Sequence, residues 1–262
     1  MRAAGSCRCG LAPFLCGIGA GLPAWVVAAP DAMAGAWPLP PKTGLTISSI
    51  VASPMILRGA GETGDPQFAT PQTGLAFENY GELGLTKKWT LITKFQTTWE
   101  GPQTGGVSNS GEIGVSRLLA RRNHLVLSWQ NNLAGGVSAQ NEACEGARLE
   151  SRLALGWSGK LLKRNSFWTI ENGGRVRADG CIGLKLDSAF GIEPVPNRLQ
   201  FISQLFIDLD RERAGATNQT VQLQQSMVVH VSRQWSVQLG GRFGVTQNVA
   251  NRSVILALWR RF

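Results

Sequence analysis

From Thr43 to the end, the chain repeats with a period of two, and helical spacing is missing. In "WTLITKFQTTW", residues 89–99, Trp89, Leu91, Phe95 and Trp99 fall on one phase, with Lys94 and Gln96 on the other. "RLESRLALGW", residues 148–157, sets Leu149, Leu153, Leu155 and Trp157 against Arg148, Glu150 and Arg152. Successive side chains of a strand point to opposite faces, so each such segment is a two-faced strand. Twelve segments follow the rule, near 44–56, 74–85, 89–99, 111–118, 123–133, 147–157, 166–177, 182–192, 199–209, 219–231, 235–246 and 252–262. The fold class is all-β.

The connections sort into two kinds. Links after the even-numbered segments, such as "TKK", "LARR", "EPVPN" and "SRQ", are mostly tight, whereas those after the odd ones are mostly longer and rich in Gly, Asn and Ser. Short and long turns then lie at opposite ends of an up-and-down antiparallel array. A soluble β-sandwich also alternates, but the tryptophans separate the two solvents. Trp89, Trp168 and Trp235 begin strands just after short turns, Trp157 ends one just before a short turn, and all four share the apolar phase. This is the aromatic belt of a membrane interface. Trp89 and Trp99 lie ten residues apart, which at a tilt near 45° spans about 23 Å of membrane. The pattern predicts a transmembrane antiparallel up-and-down β-barrel of about 12 strands.

The opposite phase carries the charges and would face the lumen. Lys94, Arg148, Arg152, Arg175, Arg177, Lys185 and Arg242 share it with Glu78, Glu82, Glu112, Glu150, Glu171, Asp187 and Asp208. Gln96, Gln200, Gln204, Gln222, Gln224 and Gln238 add polar lining. Seven cations against seven anions predict weak charge selectivity in a water-filled lumen.

The N-terminus differs in kind. Arg2 and Arg8 flank or precede an apolar run from Leu11 to Ala29, and "AMA" at 32–34 offers the small residues a signal peptidase reads. Residues 1–34 are therefore expected to be a cleaved signal peptide, with the barrel over 35–262. Cleavage removes Cys7, Cys9 and Cys16 and leaves Cys144 and Cys181, too few donors for zinc. No metal and no cofactor is indicated.

The final stretch "SVILALWRRF", residues 253–262, alternates Val254, Leu256, Leu258 and Phe262 against Ile255, Ala257, Trp259 and Arg261. It resembles the C-terminal signature of Gram-negative outer-membrane β-barrels, which their assembly machinery reads. Trp259 stands one position away from the usual aromatic, which leaves Arg260 on the lipid phase, where it can snorkel. "AWPLPPKTG", residues 36–44, followed by a strand resembles the opening of barrels grouped with the meta-pathway of phenol degradation. The resemblance implies an outer-membrane location, lipid and the barrel-assembly machinery as partners, and a belt of Trp89, Trp157, Trp168, Trp235 and Phe262. It also implies that termini and short turns face the periplasm. Cys144 and Cys181 then fall in consecutive outer loops beside one hairpin, and a disulfide between them is expected.

Three other features resolve in favour of plain readings. The net charge of +9 could suggest nucleic acid, yet Lys87, Lys88, Arg121, Arg122, Lys160, Lys163, Arg164, Arg198 and Arg233 are spread over separate turns without interleaved aromatics. Nucleic acid is therefore not expected as a partner. "GAGETG" at 59–64 matches a dinucleotide fingerprint only literally, since no βαβ unit surrounds it. His230 and Ser232 give a His-x-Ser pair like that of barrel lipid hydrolases. His230 falls on the lumen phase beside a short turn, and His124 and "NQT" at 218–220 are read as structural and as an external loop.

Function is then ordered among candidates. The first is a porin-like channel or transporter for small hydrophilic or aromatic solutes, lined by Glu82, Lys94, Glu112, Glu150, Arg152, Glu171, Arg175, Lys185, Asp187, Asp208 and Arg242. The second is a plugged structural or surface-display barrel in which those charges pair. A barrel lipid hydrolase using His230 and Ser232 comes third, and no enzyme activity is expected.

Overall fold

The computed structural model describes residues 36–55, 72–99, 106–137, 146–212, 215–245 and 252–262. The leader expected over 1–34, Cys144 and the 59–64 loop lie outside them. Twelve strands run β1 Gly44–Met55, β2 Gln72–Gly84, β3 Trp89–Trp99, β4 Val107–Arg122, β5 Leu125–Val137, β6 Arg148–Leu161, β7 Arg164–Arg177, β8 Ile182–Val195, β9 Leu199–Arg211, β10 Thr217–His230, β11 Trp235–Gly244 and β12 Arg252–Arg261. Each pairs antiparallel with its chain neighbours, and β1 closes on β12 from Leu45↔Arg261 to Ala52↔Val254. Closure leaves no edge strand, so every ladder finds its partner inside the wall.

Alternation is realised residue by residue. Along β6, Leu149, Ser151, Leu153 and Leu155 are exposed while Glu150, Arg152, Ala154 and Gly156 are buried. On β12, Val254, Leu256 and Leu258 face out and Ile255, Ala257 and Trp259 face in. Leu149, Leu153, Leu256 and Val254 are more than half exposed. An outward row of such residues on strand after strand is stable only against lipid.

The turns follow the expected ends. Leu162 and Lys163 both take positive φ, 50° and 65°, between the paired Leu161 and Arg164. Two consecutive left-handed residues are what a two-residue hairpin of matching twist requires. β8 runs two residues beyond a register shift between Ile192 and Val195, so Glu193 and Pro194 sit at a bulge rather than in a loop. "NQT" at 218–220 likewise opens β10 and is not a loop.

The placement of Cys181 in a long loop requires correction: it closes a four-residue turn at 178–181, where Gly180 has φ 88° and the Cys181 amide donates to Asp179 Oδ1 at 3.0 Å. Its side chain is buried and disulfide-bonded, and Cys144, the expected partner, lies outside the described residues.

The lumen is not uniformly polar. At the short-turn end Leu39, Leu45, Phe167, Ile202, Val228, Ala257 and Trp259 form one apolar cluster, with Trp37 and Ile47 packed against it. β7 stands six places round the barrel from β1, so a cluster joining Phe167 to Leu45 crosses the lumen. The bridge is made by residues 36–41, which precede β1. Trp37 meets Phe167 edge-on at 6.2 Å, and the Leu39 amide donates to Thr90 Oγ1 at 3.1 Å. Glycine makes room for this segment: a β-carbon on Gly156 would come within 2.8 Å of Ala36 and of the Trp37 ring, and one on Gly84 would run into Pro40.

Candidate functional site: the charged lumen

Next to the apolar floor lies a cavity of about 450 Å³ in the barrel interior. Its wall includes Lys94, Glu112, Arg152, Glu171, Lys185, Asp187, Asp208 and Arg242 from the expected set, and also Glu78, Arg148 and Tyr80. Glu82, Glu150 and Arg175 face the same interior but lie outside the cavity wall, each buried against a neighbour.

Arg152 is the hub of this network. It lies on β6, 4% exposed, and its guanidinium bonds Glu150 beside it on the same face and reaches Glu171 and Asp187 at 3.4 Å each. Those acids come from β7 and β8, so one arginine ties three adjacent strands from within. A second group lies nearer the long-loop end: Arg175 pairs with Asp208 at 2.7 Å and Asp210 at 2.5 Å, and Arg177 shares Asp210 at 3.2 Å. Across the lumen Lys94 holds Glu112 at 3.0 Å, and Arg148 approaches the same carboxylate at 3.4 Å. Arg242 joins Glu78 on β2 at 3.4 Å and the Gln224 carbonyl oxygen at 3.1 Å. The Tyr80 hydroxyl donates to Glu82.

These pairs run laterally, within one strand or between strands one or two places apart, with Arg242–Glu78 spanning three places from β11 to β2. Charges buried in a protein interior are tolerated only when paired and hydrogen-bonded. The lateral arrangement meets that demand along the wall and leaves the cavity between the pairs.

Three lining groups escaped the sequence reading. Asp210 is two residues from Asp208 in "IDLD", hence on the same face, and was legible by parity alone. Tyr80 sits between Glu78 and Glu82 on the inward phase of β2, so the same rule finds it. Glu193 was hidden in "EPVPN", whose two prolines look like a turn.

The His-x-Ser pair does not assemble. Ser232 Oγ accepts from the amides of Gln234 at 3.2 Å and Trp235 at 3.1 Å, which makes it a turn residue. His230 faces inward, with Nδ1 2.8 Å from Ser236 Oγ and Nε2 3.8 Å from Glu193 Oε1. Acid, imidazole and hydroxyl are thus in line, but Ser236 is 0% exposed, so no substrate carbonyl can reach it. Among the described residues no cluster of His, Cys, Asp or Glu could hold a metal ion.

On the outside, Trp157 stands directly across from Trp168 in the β6–β7 pair, and Trp89 and Trp235 stand across from Arg117 and Arg260. Each of these arginines lies over the ring opposite it, 5.4 Å from the centroid. Phe262 covers Gly44 at the β1–β12 seam, with the Gly44 amide donating to its carbonyl at 2.7 Å.

No family model matches this chain, and no curated protein does. Its fold has solved counterparts. An outer membrane channel from Pseudomonas putida F1 superimposes with TM-score 0.55 at 12% identity, covering 88% of this chain and 99% of that one. The KdgM porin gives 0.53 at 7% identity, over 83% and 99%. The likeness is one of fold.

Proposed function

We propose that this chain is an outer-membrane β-barrel of a Gram-negative bacterium that passes small hydrophilic or aromatic solutes, with residues 36–41 as a stopper at the short-turn end. The observation that carries the reading is the cavity of about 450 Å³ lined by both signs of charge, whose apolar end at Ile202 and Trp259 belongs to the cluster on which Trp37 and Leu39 pack. The outward apolar band, the tryptophan belt and the fold likeness to outer-membrane channels support the membrane placement. The opening at residues 36–44 resembles barrels of the phenol meta-pathway, and the aromatic edge of the solute class rests on it. Assembly through the terminal strand follows from the Val254, Leu256, Leu258 and Phe262 phase.

The wall behind the stopper is suited to water once that segment leaves. Thr90, Thr169, Gln200, Ser226 and Gln238 are all buried there, and Gln200 has neither side-chain polar atom hydrogen-bonded among the described residues. A permanently dry core would not retain an unsatisfied amide at that position. Displacing the stopper relieves it.

The test is single-channel conductance in a planar bilayer for wild type and Gly156→Val, after heat-modifiable gel migration has shown both barrels folded. The valine β-carbon meets Ala36 and Trp37 and evicts the segment. Brief or small wild-type steps, and longer or larger ones in the variant, are expected. A second reading, the plugged structural barrel, is favoured by the hub at Arg152. Silence from both folded proteins would establish it against the channel.

A further inference from the structure

The short-turn end carries a charge imbalance that the lumen does not explain. Of the chain's 26 Lys and Arg, thirteen lie at this end: the nine turn cations, together with Lys42, Arg117, Arg260 and Arg261. Among the described residues the acidic side chains there reduce to two, both turned into the barrel: Glu82, 5% exposed and level with Arg261, and Glu193, 3% exposed and directed toward Asn165 and His230. This end alone exceeds the net +9 of the whole chain, so the remainder is net acidic. All but Arg261 of the thirteen are exposed, and among the described residues none of the exposed twelve enters an ion pair.

We infer that this end is a collar that binds anionic phospholipid headgroups, by their phosphates, around the whole circumference of the barrel. The inference rests on the membrane placement proposed above. Three observations point to lipid rather than to a soluble acidic partner. The cations occur at all five short turns and at the β1–β12 seam, so they ring the barrel, as an annulus of lipid does, instead of forming one patch. They lie at the level of the tryptophans that mark the membrane interface. Two of them, Arg117 and Arg260, face outward from the wall itself, and each is held 5.4 Å over the belt ring directly across the ladder. Stacking on indole leaves the edge of the guanidinium free, and that edge presents paired donors matched to a phosphate. A polybasic surface near an anionic leaflet gains roughly a five-fold preference per cation.

Quenching of the belt tryptophans by brominated lipids measures this. Protein is folded into vesicles of phosphatidylcholine with increasing brominated phosphatidylglycerol, and the relative association constant of the two lipids is read from the quenching curve. The expected wild-type ratio is well above one and falls in high salt. In Arg117→Gln/Arg260→Gln it falls by roughly five-fold per arginine. Should that variant fail to fold, Lys87→Gln/Lys88→Gln/Arg121→Gln/Arg122→Gln replaces it, with a drop again expected. A wild-type ratio near one, or a ratio unchanged in the folded variant, overturns the collar and leaves the ring to a soluble acidic partner. Conductance recorded in phosphatidylcholine alone reports on the channel independently, since none of these residues lines the lumen.

Discussion

At the scale of single residues, Arg152 shows how this interior is held together. It sits 4% exposed among Glu150, Glu171 and Asp187, so its charge offsets three carboxylates that water scarcely reaches. Removing one partner of such a network costs more than the network contributes, because the acids stay buried with nothing opposite them. Arg152→Met is expected to lower the unfolding free energy by about 3–5 kcal/mol, measured by urea titration of tryptophan fluorescence in detergent. Adding Glu150→Gln should restore part of the loss; no recovery would mean that packing of the arginine stem, and not its charge, is what the site requires. The residue identities here were legible: all three acids and the arginine fall on the phase opposite the leucines. Their pairing was not, because parity assigns a face but not a height, and only the register of β6 with β7 and β7 with β8 brings Arg152 near Glu171 and Asp187.

At the scale of elements, the strands were legible because lipid outside and charges inside force every segment into the same alternation, and the belt tryptophans mark the starts. β4 and β8 run longer than their periodic cores, since a strand can continue through "LLARR" or "EPV" once a neighbour supplies the ladder. Residues 36–41 were invisible for the converse reason. A segment with no periodicity gains its place from what it packs on, and its seat is assembled from Gly156 and Phe167 of the β6–β7 hairpin and from Gly84 of β2, far from that hairpin in sequence. The β6–β7 hairpin offers a separate test of turn physics. Leu162 holds φ 50° at 84% exposure, a conformation in which leucine is strained and asparagine is favoured. Leu162→Asn should stabilise the barrel by about 1 kcal/mol, seen as a higher temperature for loss of the folded gel band. A lower temperature would mean that the leucine side chain is anchored in lipid.

At the scale of the whole molecule, charge is partitioned rather than merely balanced. The excess positive charge is gathered at the short-turn rim, and the cavity wall is even: Lys94, Arg148, Arg152, Lys185 and Arg242 against Glu78, Glu112, Glu171, Asp187 and Asp208. A solute in the cavity therefore meets opposed walls with little net field, whereas an ion approaching from the short-turn side crosses a cationic ring. Those two facts predict different things about selectivity. If the cavity limits passage, the reversal potential in a salt gradient stays near zero and moves toward cation preference in Arg242→Gln, which leaves Glu78 without its partner at 3.4 Å. If the rim limits passage, the wild type prefers anions, the preference fades as salt screens the ring, and Arg242→Gln changes little. The depth of the cavity between its ion pairs and the screening of a ring exposed to water favour the first outcome. Reversal potentials at low and high salt, on both proteins, decide where along the barrel a solute is sorted.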